Sequence, residues 1–244
     1  MSSLSNEQVP VTMVLLRYLS YFFGIALCTW LLTQLEIMAP GGLRLQTFTH
    51  VEDVMGTSEY SPIEMLQPGM LVICGLLYAW VAQYCPSLRP VALTFGGMAA
   101  VFLVRELDFF LDRNVADNFW QAVAAVISAL IIVYVWRHAR RFRVAWLRMW
   151  PSPGLTLLFA GALVHFAFAP FVGHEPLWQA VLGDEYQRIV KLAAEEFIEL
   201  MGYFLWLIGT AEFWFQARAI AVREPQPAAV RRRDGRRHDG EGRY

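Results

Sequence analysis

The chain has 244 residues, of which 57% are hydrophobic, 14% aromatic and only 17% charged, with a formal net charge of −1. Soluble domains carry about 25% charged residues, so this chain is short of water-facing surface. The composition excludes a disordered protein, a small disulfide scaffold and an ordinary soluble enzyme, and leaves an all-α, polytopic membrane helical bundle.

Crossing a bilayer takes about 17–25 mostly apolar residues as helix. Six stretches are candidates: 12–35, 69–84, 91–111, 119–136, 155–172 and 192–215. The first follows ten residues without Lys or Arg and is too long for a signal-peptide core, so it is expected to be retained. Arg17 lies inside it and is expected to snorkel to the inner headgroups. In the connection that follows, Ala39-Pro40-Gly41-Gly42 marks a turn. Ser61-Pro62-Ile63-Glu64 reads as a helix start, with Ser as N-cap and Pro in the first turn, and predicts a short amphipathic helix. The second span is short but flanked by apolar residues. The third carries Arg105, Glu106 and Asp108 inside its apolar run, and the fourth is uncharged. The fifth is interrupted by His165 and Pro170, and a second short helix is expected between Trp178 and Val190. The sixth has Glu195, Glu196 and Glu199 near its start and Glu212 near its end. Residues 1–222 thus form the six-span domain. Residues 223–244 read as a disordered basic tail, in which Arg231, Arg232, Arg233, Arg236 and Arg237 would face anionic lipid. The alternating ten-residue segments of a β-barrel are absent.

Arginine placement sets the orientation. The connection Trp136–Pro151 holds five arginines, the chain after the sixth span holds eight, and Arg89 adds one, against five basic residues in the opposite set of connections. Both termini are therefore expected in the cytoplasm, with the short amphipathic helices outside. Nineteen arginines against one lysine suggest GC-rich coding, and with the topology a bacterial inner membrane. Cys28, Cys74 and Cys85 lack the spacing of a metal site or disulfide framework and are expected as buried filler. Gly24, Gly75, Gly96, Gly97, Gly161 and Gly209 are expected at helix contacts.

Charged residues within a span cost about 2.5–3.5 kcal/mol each at its centre, so their clustering carries information. Under this topology Arg105, Glu106, Asp108 and Asp112 fall in the outer third of the third span. Lys191, Glu195, Glu196 and Glu199 fall in the outer third of the sixth, and His165 in the outer half of the fifth. At 100° per residue, Arg105, Asp108 and Asp112 share about 60° of arc, with Glu106 about 100° away from Arg105. In the sixth span Lys191, Glu195, Glu199 and Gly202 form one stripe, and Glu196, Glu199 and Tyr203 an overlapping one. Two cations face six acids in this set. Arg113 and Arg188 would raise the cations to four and still leave a deficit. A structural ion-pair cluster, a metal site and a proton or ion pathway all fit. For a metal, Asp108, Asp112, His165, Glu195 and Glu199 are the candidate ligands, with His50, Glu52 and Asp53 as further donors. An oxygen-rich set would favour Mg, Mn or Ca over Zn. His-Glu-x-x-His, Gly-x-Ser-x-Gly and Gly-rich phosphate loops are absent, and nothing points to nucleic acid.

Arg105-Glu106-Leu107-Asp108 and Glu195-Glu196-Phe197-Ile198-Glu199-Leu200-Met201-Gly202-Tyr203 resemble segments of an uncharacterised family of polytopic bacterial inner-membrane proteins. That family has an Arg-Glu-x-Asp helix and a later Glu-Glu-x-x-Glu helix ending in Gly-Tyr. The resemblance covers mainly the third to sixth spans and implies topology alone. A comparison with membrane hydrolases of the alkaline ceramidase type fails at the metal ligands, because His165 has no histidine partner at helical spacing. The expectation is an outward-facing acidic intramembrane pocket that binds a cation, a proton or a cationic headgroup. A metal-dependent enzyme acting on lipid and a scaffold subunit of a membrane complex are the alternatives. Membrane lipids, further membrane subunits or a second copy of the chain are the expected partners.

Overall fold

The computed structural model describes residues 11–40, 43 and 61–224. His50, Glu52, Asp53, Gly41, Gly42 and the arginines 231–237 lie outside the described residues. Ten α-helices follow in order: α1 (Val11–Met38), α2 (Pro62–Tyr84), α3 (Arg89–Glu106), α4 (Asp108–Asn114), α5 (Phe119–Arg137), α6 (Ala139–Met149), α7 (Pro153–Leu163), α8 (Ala169–Val172), α9 (Glu175–Leu182) and α10 (Arg188–Arg223). A π turn, Val164–Phe168, joins α7 to α8, and no strand occurs among the described residues. Among the described residues, four helical stretches are long and apolar enough to cross a membrane: α1, α2, α5 and the run Pro153–Val172. The bent pair α3–α4 makes a fifth. Apolar side chains such as Phe22, Leu27, Leu76, Val126, Leu130 and Phe166 are exposed on these helices, as a lipid-facing surface requires.

Local chemistry explains most boundaries. The Ser61 hydroxyl accepts from the Glu64 amide at 3.0 Å and Pro62 occupies the first turn. Instead of a separate amphipathic helix, this cap opens α2 itself, which runs unbroken through Pro68 to Tyr84. Ser152 caps α7 in the same way, accepting from Leu155 N, with Pro153 behind it. The arginine-rich connection after α5 is the helix α6. The second expected short helix is α9, which ends well before α10 begins. The third span departs most: it breaks at Leu107 and bends by 61° between α3 and α4. The Asp108 carboxylate, in the first turn of the second segment, accepts from the Phe109 amide at 2.6 Å.

The helix α10 is central. It packs against α7 on one side and α2 on another; α2 packs on α3, and α3 on α5. The α7–α10 contact is backbone to backbone. A Cβ on Gly154 would come within 2.8 Å of Phe213 N, and one on Gly161 within 2.9 Å of the Gly202 carbonyl. Small residues let helices approach this closely, which is how packing replaces the hydrophobic effect in lipid. Gly96, Gly97 and Gly209 also meet neighbours, whereas nothing lies within 4 Å of a Cβ at Gly24 or Gly75. Those two do not serve contacts within the chain. Between α2, α3 and α10, Tyr78 stacks on Phe95 at 5.7 Å and meets Phe213 edge-on at 5.6 Å. Its hydroxyl shares a 2.8 Å hydrogen bond with Thr210. Cys74 and Cys85 are buried, Cys28 is partly buried, and all three are free thiols.

Gly154→Ala and Gly161→Ala are expected to destabilise the protein by about 1–3 kcal/mol each through overpacking. Gly24→Ala is expected to leave the thermal midpoint in detergent unchanged. Equal midpoints for all three variants would contradict the close α7–α10 contact.

Candidate functional site

Arg105 stands in the last turn of α3, and its guanidinium reaches across to α10. Nη2 meets Glu199 Oε1 at 2.7 Å, and Nη1 lies 3.6 Å from Glu106 Oε1. The Tyr203 hydroxyl, one turn beyond Glu199, donates to the same Glu106 oxygen at 2.5 Å. Glu196 takes its hydrogen bond from the Gln67 amide of α2 at 3.2 Å, and it lies close enough to Glu199 and Glu106 to feel their charges. Two carboxylates from two helices thus meet one guanidinium, and a third, Glu196, stands one turn before Glu199 on α10. Lys191 is used nearby by Glu195, at 2.7 Å, and Glu195 lies where a Cβ on Gly173 would stand.

His165 belongs to the π turn, and its ring packs on Tyr203 with centroids 4.1 Å apart. Gly202 makes room for it: a Cβ there would lie 2.8 Å from His165 Cδ2. The side chain is buried, and among the described residues neither ring nitrogen has a hydrogen-bond partner; nor does the buried Trp206 Nε1 one turn further along α10. A one-residue insertion of this kind recurs at functional sites.

The predicted set is brought together only in part. Arg105, Glu106, Glu196, Glu199 and Tyr203 meet, with His165 against Tyr203. Asp108 and Asp112 do not join. They sit beyond the Leu107 break on α4, which leans on α5; Asp108 accepts from the Phe109 amide, and Asp112 Oδ1 is buried without a partner among the described residues. The common arc of Arg105, Asp108 and Asp112 assumed one unbroken helix, and the break removes it. Glu106, which precedes the break, joins the cluster although it points about 100° from Arg105. The five candidate metal ligands Asp108, Asp112, His165, Glu195 and Glu199 are dispersed. Glu199 is held by Arg105, Glu195 by Lys191 and His165 by aromatic rings. Among the described residues no three His, Cys, Asp or Glu side chains converge on a point that could hold a metal ion.

Two contributions were not foreseen. Gln67 enters the cluster from α2; a lone amide two turns after the Ser61 cap was its only signal. The other is a second buried charge centre, about 20 Å further along α10 by helical rise from Glu199 to Glu212. Glu212 is 5% exposed and receives Arg17 twice, Nε to Oε1 at 2.7 Å and Nη2 to Oε2 at 2.8 Å. The Tyr21 hydroxyl donates to it at 3.0 Å, and the Phe215 ring lies under the guanidinium at 4.6 Å. Arg17 therefore pairs with a distant acid, where snorkelling was expected. The hydrogen bond from Nη2, the close Nε charge contact and the Tyr21 donor together offset the desolvation of both charges.

Comparison of the chain with protein-family models, with curated proteins and with solved structures finds no match.

Arg17→Met, which strands the Glu212 carboxylate, is expected to cost about 3–5 kcal/mol. The double variant Arg17→Met/Glu212→Gln is expected to recover part of that loss. Thermal unfolding in detergent measures the coupling, and additive effects of the two substitutions would mean the pair contributes nothing.

Proposed function

We propose that the chain is a six-span inner-membrane protein of a bacterium, with both ends in the cytoplasm, whose Arg105 cluster binds a proton or a small cation from the outer side. Support for six spans comes from α10. Its 36 residues reach about 54 Å at 1.5 Å per residue, beyond the roughly 30 Å of a hydrocarbon core, and it is the helix the others pack around. Support for the orientation comes from the arginines, which crowd α6, the start of α3 and the end of the chain.

The observation that carries the functional reading is the charge imbalance at one place. Arg105 stands against Glu106, Glu196 and Glu199, and the partner of Glu196 is a neutral amide. Carboxylates sharing a site of low dielectric repel one another, so the surplus is offset by a bound proton or cation. The ammonium of a lipid headgroup carries the same charge. Beyond the cluster the polar groups thin out, and Tyr78, Phe95 and Phe213 fill the space around Thr210. A closed floor of this kind suits binding or sensing better than conduction. The metal-dependent enzyme has no convergent ligand set among the described residues to support it. The scaffold reading draws support from α1, whose apolar side chains are exposed along most of its length and which no other helix packs against closely.

Infrared difference spectroscopy of the purified protein tests the binding reading. A protonated-carboxyl band is expected at neutral pH. It should respond to pH between about 5 and 9 or to added cation, and Glu196→Gln or Glu106→Gln should reduce it. A wild-type spectrum that changes with neither pH nor Na⁺, K⁺ or Mg²⁺ would reduce the cluster to a structural ion pair.

A further inference from the structure

We propose that α6 and the crevice beside it form a seat for an anionic phospholipid, with the phosphate on the arginines of α6 and an acyl chain between α1 and α7. This site is remote in sequence from the Arg105 cluster and does not rest on it. The helix α6 lies between the end of α5 and the start of α7. One face, formed by Phe142, Ala145, Trp146 and Met149 at helical spacing, turns to the bundle. Ala145 and Met149 are fully buried, and Trp146 meets Phe95 of α3 at 6.2 Å. The opposite face carries Arg140, Val144 and Leu147, flanked by Arg141, Arg143 and Arg148, all exposed. Arginines mixed with exposed apolar residues suit the boundary between headgroups and acyl chains.

The charge is unmatched. From Arg137 to Pro151 the sequence has five arginines and no acid. Arg148 is paired with Glu224 at 2.9 Å. Arg137, Arg140, Arg141 and Arg143 have no acidic partner among the described residues. Guanidinium groups are planar donors suited to phosphate.

The second observation is the crevice. It has a volume of about 420 Å³ and is lined by Tyr18 of α1 with Pro151, Ser152, Pro153, Thr156 and Leu157, so it opens two residues past the end of α6. Its hydroxyls on α7 are engaged locally: Ser152 Oγ accepts from Leu155 N, and Thr156 Oγ1 donates to the Ser152 carbonyl. What it offers an occupant is mainly apolar surface. A soluble anion would use the arginines and leave the crevice. A zwitterionic lipid would fill the crevice but bring its own cation towards the arginines. An anionic phospholipid uses both.

Native mass spectrometry of the full chain, mixed with phosphatidylglycerol and phosphatidylcholine of equal chain length, tests this. The wild type is expected to retain phosphatidylglycerol preferentially. Arg140→Gln/Arg141→Gln/Arg143→Gln should lower that retention about a hundredfold, from about 1 kcal/mol per arginine, at an unchanged thermal midpoint. Leu157→Trp, which fills the crevice, should lower retention of both lipids. Equal retention of the two lipids by the wild type overturns the proposal. So does a triple variant that binds like the wild type, or a Leu157→Trp variant that holds lipid undiminished. A preference that disappears when Arg231, Arg232, Arg233, Arg236 and Arg237 are changed to Gln, with α6 intact, assigns the lipid to the chain end and overturns it as well.

Discussion

Apolar side chains gain little by leaving lipid for a protein interior, so a helical bundle in a bilayer is held by close packing and by polar contacts. Here both act on α10. Glycines bring its backbone against α7, and polar side chains tie it to three further helices: Gln67 and Tyr78 of α2, Arg105 of α3, Arg17 and Tyr21 of α1. An apolar helix in the same place would have no means of choosing its rotation. With Glu196 and Thr210 engaged by α2, Glu199 by α3 and Glu212 by α1, rotation and depth of α10 are both fixed. The acidic residues are therefore structural, and the proposed binding adds to that role. Arg105 matches one or two carboxylates and registers α3 against α10, while the remainder supplies the imbalance on which the proposed binding depends.

Much of the architecture was legible from hydropathy. The helix α5 was read almost to the residue because its apolar run is uninterrupted and Arg137 closes it. The cap at Ser61 was legible because it follows from short-range hydrogen bonding and needs no tertiary information; the helix it opens proved to be the second span itself. The break at Leu107 was not legible, because Glu106-Leu107-Asp108 contains neither Gly nor Pro. It coincides with Arg105 reaching for Glu199 and with Asp108 starting a new helix, both consequences of packing. That one break displaced the angular arguments built on an ideal helix. It removed Asp108 and Asp112 from the cluster. The π turn at His165 likewise inserts a residue into the turn without a signal in the sequence, and with it alters which face the imidazole presents.

The site differs from a metal centre in how its acids are used. Convergent ligation needs several unclaimed donors at one point. In the cluster Glu199 is engaged by Arg105, Glu106 by Arg105 and the Tyr203 hydroxyl, and Glu196 by an amide, while Glu195 nearby is engaged by Lys191. The surplus is one of charge and not of free lone pairs. A monovalent guest requiring little coordination suits such a place better than an ion requiring six or more ligands.

The pairing of Arg17 with Glu212 spans 195 residues of chain. Ribosomes add about 5–20 residues per second, so roughly 10–40 s separate the two side chains during synthesis. Throughout that interval α1 carries an unmatched guanidinium, which its long stem can hold at the headgroups. Only once α10 has been made can the arginine exchange phosphate for carboxylate, so α1 waits for its partner long after its own synthesis.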